Sequence, residues 1–314
     1  MSLSPILMAL FTHNAVKKII RDGYDFDVLD SYYFYPDGIA ATFLGLILHK
    51  PVIVSALGTD LNLIPHYTLP RKMIQWAANR VAGMTTVCQA LKDVLVRLGV
   101  MESRVAVVVH GVDLDLFRPP EDREALRVQF GLKRRTLLSV GYLIERKGHH
   151  IAIEALAGLP DTDLLIVGEG EEATNLRHLA RRLDVDDRVR FLGRVDQSKL
   201  PSYYGAADAL VLASSREGIA NVLLESMACG TPVLATDIWG SPEAVTCPEA
   251  GRLLSARTAD ALVSAAEDLF SSYPDRSATR AYVERFSWDK TSADHLSVVR
   301  QVLAERTASE MPAL

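Results

Sequence analysis

Short apolar runs alternate with helical patterns along the whole of this 314-residue chain, and one interruption splits the alternation in two. Few folds accept that pattern. Residues 27–30, 52–55, 83–87 and 105–109 read as near-continuously apolar strands of a parallel sheet covered on both faces. Their spacing fits βα repeats of roughly 30 residues. Pro119 and Pro120 then end strand pairing, and residues 121–130 open a charged helical segment. The alternation restarts with strands at 136–140, 163–167, 189–192, 209–213 and 232–235, separated by helical patterns near 148–158, 171–183, 198–206 and 221–229. The expected fold class is therefore α/β, with two Rossmann-like domains. The first, residues 1–117, is reduced to about four parallel strands; the second, residues 118–288, is a more complete doubly wound parallel sheet. Residues 289–314 hold a last helical pattern with no obvious place in the second domain, expected to reach back to the first.

Composition fits two soluble domains and narrows their partners. A length of 314 residues with 49% hydrophobic content is too much for one comfortable core. The formal net charge of -5 provides no overall basic field, so nucleic acid is not expected as a partner. Cys88, Cys229 and Cys247 are far apart and form no metal-ligand spacing, so they read as reduced thiols of a cytoplasmic protein, and no metal is expected. The apolar stretch 39–57 is cut by His49, Lys50 and Pro51 into a helix and a strand, which leaves no membrane span. Residues 12–21 combine Lys17, Lys18 and Arg21 with apolar residues at helical spacing. That segment reads either as a peripheral contact with an anionic membrane or as a helix packed on the first domain.

The segment with most chemistry runs from Ser214 to Pro232 as strand end, tight loop, helix, glycine stop and next strand. Gly218 permits a close backbone turn, and the amides of Ile219, Ala220 and Asn221 open a helix whose positive end suits a diphosphate. Glu217 in the loop and Glu225 in the helix are eight residues apart, and each carboxylate can accept two hydroxyl hydrogen bonds, as sugar or ribose recognition requires. The plainer reading makes both solvated surface glutamates. The turn after the strand at 136–140 contributes Arg146 and Lys147, cations suited to a departing diphosphate, or else merely a solvated basic pair.

At these residues the chain resembles the retaining family-4 glycosyltransferases of the GT-B fold. The resemblance covers about 27–303, with 217–225 and the following Met-Ala-Cys-Gly-Thr-Pro-Val as its most specific part. It implies a nucleotide-sugar-dependent, retaining, metal-independent enzyme of hexosyltransferase type that moves a sugar from a UDP-, GDP- or ADP-sugar to an acceptor, whether glycan, lipid or small molecule. No cofactor is implied. Carried over by position, Glu217 would hold sugar hydroxyls, Glu225 the ribose diol, and Lys147 with the 218–221 amides the diphosphate. The backbone at Arg194 and Val195 would face the nucleobase, and Asp60 would face the acceptor side.

Two departures matter. The family commonly has Gly-Arg-Leu where this chain has Gly141, Tyr142 and Leu143, so one diphosphate arginine is absent. About three βα units, roughly 90 residues, also have no counterpart at the front. A first sheet without them has an open edge, expected to be covered by a second copy, a companion chain or a rearranged N-terminal segment. The alternative function is accordingly a nucleotide-sugar-binding or regulatory remnant with impaired catalysis. A dinucleotide-binding reading of Gly168, Gly170 and Ala173 places Glu169, Glu171 and Glu172 around a pyrophosphate, and a structural turn fits better. His149 and His150 read as a solvated pair opening a helix.

Overall fold

The computed structural model describes residues 3–310, which form two compact units: 3–109 with 289–310, and His110–Trp288. The first unit runs α1 (Ser4–Arg21), β1 (Leu29–Tyr32), α2 (Ile39–Leu48), β2 (Val52–Ala56), α3 (Thr59–Asn62), α4 (Thr68–Ala78), β3 (Gly83–Thr86), α5 (Gln89–Arg97) and β4 (Val105–Val107). Its four strands are parallel in the order β1-β2-β3-β4. β2 and β3 are buried along their whole length, and the two buried hydroxyls at Ser55 and Thr85 satisfy each other, Thr85 Oγ1 donating to Ser55 Oγ at 2.7 Å.

Two helices cover opposite faces of this sheet, and alternation along β2 shows which. Val52 and Val54 face α2, because a Cβ on Gly45 or Gly38 would meet their side chains. Ile53 points the other way, toward the face of Gly83, where Val298 and Val302 of α14 (Trp288–Glu310) pack. Thr291 Oγ1 donates to the Val109 carbonyl, and His295 Nε2 lies 2.8 Å from Asp30 Oδ2, so α14 is fastened to this unit at both ends of the sheet. Among the described residues no strand pairs with the outer edge of β1. α1 packs on α2 with Pro5 and Ala9 buried, and leaves Leu7, Leu10 and Phe11 exposed on the helix that carries Lys17, Lys18 and Arg21.

The second unit runs α6 (Arg123–Gln129), β5 (Arg135–Val140), α7 (His149–Ala155), β6 (Thr162–Val167), α8 (Ala173–Arg182), β7 (Val189–Gly193), α9 (Leu200–Ala206), β8 (Ala209–Leu212), α10 (Asn221–Ala228), β9 (Val233–Thr236), α11 (Ser241–Ala244), β10 (Gly251–Leu254), α12 (Ala259–Ser271) and α13 (Arg276–Val283). Six parallel strands stand in the order β10-β9-β8-β5-β6-β7. The chain winds outward from β5 through β6 to β7, returns to β8, and winds outward the other way. Its core is built from Leu137, Ile151, Leu164, Val211, Leu234 and Leu262. Both sheets are thus Rossmann-like, four-stranded in the first unit and six-stranded in the second.

Candidate functional site

In an open parallel sheet the loops that follow two adjacent strands part company where the winding reverses, and the crevice between them admits a ligand. Here the reversal lies between β5 and β8, so the turn at 141–148 and the loop at 214–220 flank it. The two are in backbone contact. Gly148 has φ +74°, and a Cβ there would stand 2.0 Å from the Ala213 carbonyl oxygen, which only glycine avoids. Ser215 N donates to the Arg146 carbonyl at 2.9 Å, and Arg146 Nη1 returns a bond to the Arg216 carbonyl at 2.7 Å.

This knitting brings the predicted charged residues together. Lys147 Nζ donates to Glu217 Oε1 at 2.7 Å, and Arg146 Nη1 lies 3.6 Å from the same oxygen. The Lys147 and Glu217 side chains are only 16% and 11% exposed, so the attraction acts in a partly desolvated setting. Beyond Glu217 the backbone of Gly218, Ile219 and Ala220 is buried and leads into α10, where Ala220 is the N-cap and supplies no side-chain acceptor. The start of the helix is therefore not closed by a side-chain cap, a kind of terminus that suits an anion.

Glu225 sits one turn into α10. Its Oε2 accepts a hydrogen bond from Tyr204 Oη at 2.7 Å, and Tyr204, on α9, is fully buried. Burial pushes the Glu225 carboxyl up in pKa, with the Tyr204 bond acting in the opposite sense. Burial and the neighbouring carboxylate both push the Tyr204 phenol up, so it remains a donor. The Tyr204 backbone carbonyl accepts in turn from Thr231 Oγ1, which fixes the tyrosine from behind.

His149 is not half of a solvated pair. It is buried at the start of α7, with Nδ1 2.8 Å from Ser139 Oγ on β5 and Nε2 3.2 Å from the Tyr142 carbonyl. A carbonyl only accepts, so Nε2 carries the hydrogen and the Ser139 hydroxyl donates to Nδ1. Burial pushes the ring down to about 4, which keeps it neutral. Neither Tyr204 nor His149 announced this role in the sequence, because each acts through a partner on another element.

The remaining predicted residues are placed differently. Arg194 and Val195 follow β7 at the carboxyl end of the same sheet, Arg194 exposed and Val195 half-buried. Tyr142 is 74% exposed at the position where an arginine was expected. Asp60, in the first unit, is 0% exposed, and its oxygens accept the backbone N–H groups of Phe34 at 2.9 Å, Gly58 at 2.8 Å and Leu57 at 3.2 Å. That carboxylate ties the exit of β2 to the turn after β1 rather than presenting itself to a ligand. Among the described residues no three His, Cys, Asp or Glu side chains are grouped as a metal site, and no helix is long and apolar enough to cross a membrane.

Comparison with known proteins follows the same division of the chain. Residues 122–286 match the profile of the glycosyl transferases group 1. The chain belongs to that family. Residues 2–116 of this group 1 glycosyltransferase match a second profile, Glycosyltransferase Family 4. It is 33% identical over 220 residues to a D-inositol 3-phosphate glycosyltransferase of Mycobacteroides abscessus, covering 67% of this chain and 49% of that protein. A D-inositol 3-phosphate glycosyltransferase 2 of Catenulispora acidiphila is 37% identical over 220 residues, 63% of this chain and 51% of the relative. The chain thus spans about half the length of these curated relatives. Among solved structures, HepE of Anabaena in complex with UDP superposes with a TM-score of 0.80 at 23% identity, covering 91% of this chain and 82% of that one. Sucrose-phosphate synthase of Thermosynechococcus elongatus gives 0.79 at 22% identity, covering 92% and 76%. The fold is GT-B-like, with a first sheet of four strands.

Proposed function

We propose that this group 1 glycosyltransferase moves a sugar, with retention of configuration, from a nucleoside diphosphate sugar to an acceptor. The observation that carries the proposal is the convergence of Lys147 and Glu217 at 2.7 Å beside the uncapped start of α10, at the winding reversal of the second sheet. The donor's diphosphate takes over the Lys147 ammonium, and Arg146 and the 218–221 amides add further donors. Glu217, released from Lys147, accepts the sugar hydroxyls. Glu225, held by Tyr204 on one oxygen, accepts the ribose diol, and the backbone at Arg194 and Val195 faces the base. As the glycosidic bond breaks, negative charge grows on the leaving diphosphate, where preorganised cations and amides stabilise it without reorganisation. The complexes of HepE with UDP and with UDP-glucose make a UDP-sugar the first donor to test.

A hexose donor and a cytoplasmic location complete the proposal. The acceptor class is a glycan, a lipid or a small molecule, and the exposed Leu7, Leu10 and Phe11 with Lys17 and Lys18 suit contact with an anionic membrane. The unpaired edge of β1 suits a second copy or companion chain. A second reading, nucleotide-sugar binding with impaired transfer, is favoured by Tyr142 in place of an arginine. Donor turnover measured with the unsubstituted chain and with Glu217→Ala decides between them. Turnover abolished by the substitution supports transfer; tight donor binding without turnover, whatever the acceptor, supports the second reading.

A further inference from the structure

The two donor-site loops are joined on one side by Ser215 and Arg146, and a third segment joins them on another. Arg257 lies between β10 and α12, 112 residues from Glu145 in sequence. Its Nε donates to the Ala213 carbonyl at 2.9 Å and its Nη2 to the Glu145 carbonyl at 2.8 Å. Nη2 also stands 3.0 Å from Glu145 Oε1. Ala213 immediately precedes the 214–220 loop that carries Glu217 and leads into α10. Glu145 opens the 3-10 turn Glu145–Lys147 that presents Arg146 and Lys147.

Both principal acceptors are main-chain carbonyls, so the guanidinium fixes the path of the backbone and not merely the rotamer of a neighbour. Arginine suits this task because its donors are set at fixed angles in one plane, whereas a lysine ammonium on a flexible stem cannot reproduce that fork. The Arg257 side chain is 26% exposed, which shields the bonds from water in part, while the Glu145 carboxylate at 68% exposure adds a screened attraction. Arg257 touches none of the groups assigned to the donor. What it touches are the roots of the two loops that carry them.

We propose that Arg257 is a positioning residue. It holds the 141–148 turn and the 214–220 loop in register, and so sets the separation of Lys147 and Glu217 that a diphosphate sugar must enter. The binding consequence rests on the donor reading given above; the coupling of the two loops does not.

The test uses the full chain with Arg257→Ala, Arg257→Lys, Lys147→Ala and the double variant Arg257→Ala/Lys147→Ala. Hydrogen exchange on ligand-free protein examines the coupling alone. Arg257→Ala is expected to speed exchange in 141–148 and 214–220 together by about tenfold, the loss of roughly one charge-assisted bond, while α12 keeps its protection. Calorimetric titration with UDP then examines the consequence. Arg257→Ala is expected to weaken binding about tenfold, with Arg257→Lys recovering only part of it. The double variant should lose less than the sum of the two single losses, because part of the effect of Arg257 passes through Lys147. A merely structural arginine would lower the melting temperature and give additive losses. Unchanged exchange in either loop, or additive losses in the double variant, overturns the proposal. Failure of the unsubstituted chain to bind UDP, GDP or ADP overturns the donor reading instead, and exchange still decides whether Arg257 couples the loops.

Discussion

Lys147 and Glu217, 70 residues apart in the chain, hold each other at 2.7 Å across the winding reversal of the second sheet. One is the cation proposed for a diphosphate and the other the carboxylate proposed for sugar hydroxyls. Each satisfies the other until a donor arrives, so neither charge is left partly buried and alone. In the proposed function, donor binding is an exchange of partners rather than the filling of an unsatisfied pocket.

That exchange makes Glu217→Gln a variant with opposite effects on binding and on chemistry. The amide no longer competes for the ammonium, so a free nucleoside diphosphate should bind roughly fivefold more tightly, equivalent to about 1 kcal/mol of released ion pairing. Transfer should fall by about two orders of magnitude, as when one charged contact to the reacting group is lost. Calorimetry with UDP and a turnover assay check the two halves. Weaker UDP binding by the variant would contradict the account.

Glu225 gives a pH-dependent prediction. Burial raises its carboxyl above the ordinary 4.5, so its contribution to stability is fully present below about pH 4.5 and is lost as pH rises through the raised folded value. Glu225→Gln keeps an oxygen for the Tyr204 hydroxyl and cannot ionise. Its melting temperature relative to the unsubstituted protein should therefore climb between pH 4 and pH 7. The same variant should discriminate less between UDP and its 2′-deoxy counterpart.

The contrast between Glu225 and its partner shows what sequence reveals and what it conceals. The site strands were legible because parallel strands buried on both faces are written as near-continuous apolar runs: β5 and β6 each begin one residue before the predicted start and end where expected. β1 begins at Leu29, two residues late, because pairing with β2 starts where Leu29 N reaches the Pro51 carbonyl. β10 was missed altogether, since Arg252 interrupts a four-residue run and is drawn outward to Asp268. The positions of Glu217 in its loop, Glu225 in the following helix and the basic turn were readable from their offset to strand ends. Tyr204, His149 and Arg257 were not, because their partners lie on other elements and no periodicity encodes such pairs. Asp60 carried a motif signal, yet three backbone donors turn it inward.

His149 should mark the acid limb of stability. Its ring is held at about 4 against an ordinary 6.5, so the unfolded chain takes up a proton first as pH falls. Stability from this group is complete above about pH 6.5 and declines toward pH 4, by about 3 kcal/mol in all. His149→Gln should flatten that decline in urea titrations at successive pH values. An equally steep decline in the variant would mean that other groups dominate.

Gly148→Ala tests the crossing of the two loops. The new Cβ would meet the Ala213 carbonyl at 2.0 Å in a backbone region with φ +74°. Relief requires the turn carrying Lys147 to move, so stability should fall by about 2 kcal/mol or more and UDP binding should weaken with it. Thermal melts with and without UDP follow both changes. A variant as stable as the parent would place the close approach elsewhere.

The most direct test of the central claim is titration of the unsubstituted chain and of Lys147→Ala with UDP, GDP and ADP. The account predicts saturable binding of one of the three, stabilising the fold by about 2.7 kcal/mol at a hundredfold excess over Kd, and at least a tenfold loss in Lys147→Ala. No binding of any of them, or equal binding by parent and variant, would contradict it.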